Sequence, residues 1–91
     1  MKTSISERQI QENIRLTKKV VVLDIWWETT WKSWITQYKD INDCEVFPNH
    51  WEFTKQQAIA DAKVWRDYKN TNPSLKILVS KNKLNQESRE I

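Results

Sequence analysis

The sequence predicts an α+β fold: a small, mostly antiparallel sheet in β-β-α-β order, with one main helix, about residues 54–70, on one face. Three observations predict it. Residues 19–27 and 74–80 are β-branched or aromatic runs bounded by polar segments, which is strand composition. Residues 54–70 open with a capping signal, carry an apolar stripe at helical spacing and stop before Pro73. No run is apolar enough to span a bilayer, so the pattern is that of a globular domain with no membrane partner.

The chain divides into an N-terminal arm or short helix (1–17), a single α+β domain (18–80) and a polar C-terminal tail (81–91). In the arm, Ser4 and Glu7 have capping-box spacing and Ile10 and Ile14 are four apart, so a short amphipathic helix fits. Strand alternation through residues 19–27 places Val21, Leu23, Ile25 and Trp27 on one face, and Val20, Val22, Asp24 and Trp26 on the other. Residues 29–41 read two ways. Trp27, Trp31, Trp34, Ile35, Tyr38 and Ile41 make a helical stripe, yet most residues from Thr29 to Tyr38 are strand formers. Composition favours a hairpin turning at Glu28, Thr29 and Thr30; a helix over 29–41 is the alternative.

A short extended piece comes next at 44–47 and is closed by Pro48 and Asn49. Thr54 is the expected N-cap of the main helix, with Gln57 completing a capping box and Phe53 and Ala58 forming a hydrophobic staple. Ala58, Ala62, Trp65 and Tyr68 give its inward stripe. In the last strand Leu75, Ile77 and Val79 point inward. One helix covers one sheet face. The other face is expected to carry Val20, Val22, Trp26 and Leu78, joined by Trp34 and Tyr38. An apolar patch of that size calls for a cover: the N-terminal segment, a second copy of the chain or a partner.

Composition excludes more chemistry than it suggests. The chain has no glycine, so the phosphate-cradling loops that need close backbone approach are absent, and positive-φ turns fall to Asn42, Asp43, Asn49, Asn70 and Asn72. A single cysteine forbids an internal disulfide and fits a reducing compartment. The first eight residues lack the apolar run of a secretory leader, so a cytoplasmic location is expected. Net charge of +3, with both signs interspersed, permits nucleic acid without requiring it.

Cys44 and His50 lie near Asp40, Asp43, Glu45 and Glu52, but one thiol and one imidazole make neither a marked nucleophile site nor a zinc signature. They read as a small thiol and a turn histidine, the carboxylates as solvated turn residues. The expectation is therefore a non-enzymatic chain with no metal and no cofactor. Asp24, mid-strand among apolar neighbours, suggests either a sheet edge or a pairing with a lysine such as Lys32 or Lys76.

The six tryptophans carry the functional reading. A core this small uses about half of them; the rest suit an interface, where tryptophan buries much area and keeps a polar N–H. The expected function is a small protein-interaction module: a regulator, assembly factor or inhibitor of a larger complex. It would bind another protein, or a second copy of itself, through Trp26, Trp31, Trp34 and Tyr38, with Asp24 and Lys32 setting specificity. The alternative is single-stranded nucleic-acid binding, with the same aromatics stacking bases and lysines meeting phosphates.

Overall fold

A computed structural model describes residues 2–81 and 89–91, with side chains for residues 7–81, 90 and 91. The order is α1 (Lys2–Lys19), β1 (Val22–Glu28), β2 (Ser33–Lys39), β3 (Glu45–Glu52), α2 (Lys55–Lys69), β4 (Lys76–Ser80) and the two-residue β5 (Arg89–Glu90). The strands form one mixed sheet in the order β3-β2-β1-β4-β5. Among the described strands the β1–β4 pairing alone is parallel; β1–β2, β2–β3 and β4–β5 are antiparallel. This is the expected α+β class, with a full third strand where the sequence suggested a short extended piece. Within the predicted polar tail, β5 pairs with β4, while residues 82–88 and the Ser4–Glu7 capping box lie outside the described residues or side chains. None of the described helices is long and apolar enough to cross a membrane.

Residues 29–41 adopt the hairpin. Glu28 pairs with Ser33, so residues 29–32 form a four-residue loop, one position later than the sequence suggested. The loop ends on Lys32 at φ 49°, a left-handed conformation usually left to glycine or asparagine. Loop length sets the phase of everything after it, because a one-residue slip would turn every β2 side chain to the opposite face. The observed register pairs Trp27 with Trp34 and Leu23 with Tyr38. Trp34 and Tyr38 therefore point towards α2 and not, as expected, to the open face. Ile35 shares the open face with Trp26.

The core lies between α2 and the sheet. Leu23 and Ile25 of β1 and Ile77 and Val79 of β4 pack under Ala58 and Ala62, whose small side chains let the helix approach closely. Trp34, Tyr38, Phe47, Trp65 and Leu75 close its edges. Val20, expected on the open face, is fully buried in this core. It precedes β1, its N–H donates to the Thr17 carbonyl of the α1 end, and strand alternation does not govern it. Thr54 caps α2 as expected, its hydroxyl accepting from the Gln57 N–H at 3.1 Å. Phe53 forms no staple, because its ring packs edge-on against Trp51 instead. Tyr68 is exposed: it falls off the Ala58–Ala62–Trp65 stripe, on the flank of α2 with Asp61 and Val64.

Asn70 is not a positive-φ turn residue; it is the extended C-cap of α2 at φ −108°. Its buried side chain ties three segments together. Nδ2 donates to the carbonyls of Thr17 and Val20 at 2.7 and 3.2 Å, and Oδ1 accepts from the Asn72 N–H at 2.7 Å. Asp43 does take the expected left-handed conformation (φ 64°), in a turn organised by Asp40, whose Oδ1 accepts from the N–H groups of Asn42 and Cys44.

Candidate functional site

The predicted anchors do not form one surface. Trp26 lies on the open face but is buried, with 4% of its surface exposed. Trp34 packs on Trp27 at 5.6 Å between ring centroids, with the Lys55 ammonium 5.9 Å above its ring on the α2 side. Tyr38 is wedged among Phe47 and Trp65 under α2, where burial first, and the Asp61 charge second, push its phenol above the usual range. Asp24 faces outward, but its partner is Lys39 at 3.2 Å rather than Lys32 or Lys76. Lys39 of β2 and Lys76 of β4 both stand opposite Val22, two positions along the same face, and Asp24 takes the β2 lysine, whereas Lys32 is held in the hairpin loop. Lys39 also reaches Asp43 at 3.1 Å. Burial works against its charge, but the hydrogen bonds to Asp43 and Asp24 outweigh it and hold the amine above its ordinary value. Of the six predicted residues, Trp31 alone presents a large exposed ring.

Trp31 belongs to a different aromatic group from the one predicted. It lines an open cleft of about 440 Å³ with Ser33, Ile35, Trp51 and Phe53. Trp31, Trp51 and Phe53 are 74%, 54% and 73% exposed, far more than rings recruited to a core. Trp51 and Phe53 stand edge to face at 5.3 Å, which fixes one wall of the cleft.

A bulge in β3 creates this wall. Phe47 pairs with Tyr38 and His50 with Thr36, so Pro48 and Asn49 together oppose the single residue Gln37. Proline is tolerated there because β3 is an edge strand and the bulge leaves the position out of the ladder. The extra residue inverts the phase of the rest of the strand. Trp51, opposite Ile35, turns out to the open face, while His50 and Glu52, opposite Thr36 and Trp34, turn in towards α2. Trp51 was visible in the sequence as a tryptophan but not as an exposed one, since only the bulge decides its side.

The inward-turned pair meets Asp61 of α2. His50 Nε2 lies 3.3 Å from Asp61 Oδ2 and 3.7 Å from Glu52 Oε2. Asp61 Oδ1 accepts from Gln57 Nε2 at 2.8 Å. Sharing a hydrogen bond with Asp61 pushes the Glu52 carboxyl above its ordinary range, helped by desolvation and the Asp61 charge, while His50 opposes the shift. Asp61 is held below its own range by the same bond with Glu52, against the effect of burial, and then by Gln57 and His50. His50 is thus a strand residue in a polar cluster, not a turn histidine, and Cys44 sits apart from it, exposed in the β2–β3 turn.

Comparison of the chain with protein-family models, with curated proteins and with solved structures returns no match.

Proposed function

We propose that this chain is a non-enzymatic protein-interaction module whose contact surface is the cleft of Trp31, Ile35, Trp51 and Phe53. One observation supports the reading above the others: three large rings, each more than half exposed, converge on one concave surface at the hairpin end of the open face. Water-exposed rings held in a fixed geometry lose little conformational entropy on binding and bury much area, which is the character of interface hot spots. The partner chemistry that suits them is an apolar or aromatic side chain presented by another protein. The described lining of the cleft contains no lysine or arginine, so it supplies nothing to neutralise phosphate, and the nucleic-acid alternative is the weaker one.

The test is affinity capture from cell extract with the wild-type chain and with a W31A/W51A/F53A variant, each with and without nuclease. Partners that bind the wild type, survive nuclease and ~0.5 M salt, and are lost from the variant support the proposal. Partners retained equally by the variant, or released by nuclease, refute it. Truncating a single anchor such as Trp51 should cost about 2 kcal/mol of binding to a purified partner.

A further inference from the structure

We propose that His50, Glu52 and Asp61 form a binding site for a borderline divalent cation of the zinc type. The site is separate from the aromatic cleft, on the opposite face of β3, and does not depend on that reading. Its donors are one imidazole nitrogen and two carboxylates, all within 4.8 Å of one another. Ligands at zinc distances of about 2.0–2.2 Å in tetrahedral geometry stand about 3.3–3.6 Å apart. The separation from His50 Nε2 to Asp61, 3.3 Å, falls in that range, and the one to Glu52, 3.7 Å, lies just beyond it. The three donor atoms, now within 4.8 Å of one another, would close around a cation by side-chain rotation.

Two further features support it. The bulge at Pro48 and Asn49 turns His50 and Glu52 together towards α2, and re-aiming side chains at a site is a recurrent use of bulges. Gln57, one helical turn before Asp61, holds one carboxylate oxygen and leaves the other facing His50, the arrangement of an outer-shell partner orienting a ligand.

The position is also accessible. His50 lines a cleft between α1, β3 and α2 together with Asn13, Tyr38, Phe47 and Trp65, and the neighbouring hollow reaches Asp61. Three protein ligands beside an open cleft leave a coordination position for water or an exogenous ligand. Imidazole with carboxylates suits zinc and its transition-metal neighbours, whereas magnesium and calcium favour all-oxygen shells.

The experiment is calorimetric titration of the untagged full chain with zinc chloride, repeated with magnesium chloride, alongside cobalt(II) absorption. His50 is the only histidine in the sequence, so its imidazole resonances report the site without assignment ambiguity. The expected result is one zinc per chain, a zinc-dependent shift of the His50 resonances, visible cobalt bands, and weak or no response to magnesium. D61N and E52Q, which keep side-chain shape, should abolish stoichiometric binding. Q57A should weaken it by about tenfold to a hundredfold. C44S should bind like the wild type. No stoichiometric zinc in the wild type, unmoved His50 resonances, binding unchanged in D61N and E52Q, or binding lost in C44S would each overturn the proposal.

Discussion

Replacing Asn70 should damage the fold more than any other single polar substitution in the described chain. Its amide is 6% exposed as a residue and serves two carbonyls and one N–H, at 2.7, 3.2 and 2.7 Å. These bonds join the C-terminal end of α1, the entry to β1 and the loop that leads from α2 into β4. A hydrogen bond contributes about 0.5–1.5 kcal/mol net, so three sum to about 1.5–4.5 kcal/mol. Two acceptors retain partial compensation: Asn72 Nδ2 lies 3.5 Å from the Val20 carbonyl, and the Val20 N–H still donates to Thr17. N70A should therefore cost about 2–3 kcal/mol, and lower Tm by roughly 10–20 °C for a domain of this size.

N70D is the sharper variant. It keeps the acceptor for the Asn72 N–H but aims a carboxylate oxygen at two carbonyls, so at pH 7 it should destabilise more than alanine and recover partly on acidification. Urea unfolding followed by tryptophan fluorescence measures both, and hydrogen exchange should show the α1 amides opening first. A loss under about 0.5 kcal/mol for N70A, or N70D matching N70A at neutral pH, would refute the assignment of these bonds as the tie between segments.

Three other outcomes are expected from the geometry. Acrylamide should quench Trp31 and Trp51 and hardly touch Trp26, so a W31F/W51F variant loses most of the quenchable emission; unchanged quenching would contradict their exposure. T54A should cost about 1 kcal/mol in the same urea assay, because it removes the cap on the Gln57 N–H. Tyr38 and Lys39 both have folded-state pKa values raised above their ordinary ones, so each contributes stability that is complete below about pH 10 and lost as pH rises through the folded value. The melting temperature should hold from neutral pH to about 10 and then fall, less steeply in a Y38F variant. An alkaline limb identical in Y38F and wild type would remove Tyr38 from this account.

Local signals carried the elements. Thr54 capping α2, Pro73 ending the segment after it, and the β-branched runs of β1 and β4 are all dictated by residues adjacent in sequence, and all appear where those residues stand. The inward set Leu23, Ile25, Ile77, Val79, Ala58 and Ala62 was equally legible, because alternation and helical period are local rules. The candidate surface was legible only as a count of tryptophans. Trp34 and Tyr38 have the same composition whichever face they take, and the length of the loop at residues 29–32 assigned them to α2. Trp51 was one tryptophan of the count and Phe53 a staple residue, because their exposure depends on a bulge a few residues upstream.

The aromatic excess, the missing glycine and the capped main helix were properties of the sequence by itself, and they specified an α+β domain with more large rings than its core uses. Tertiary structure decided which rings those were, and that His50, Glu52 and Asp61 would meet at all. The reason is phase. A strand's side chains change sides with every residue, so one loop residue or one bulge, invisible to composition, reverses the face of everything beyond it.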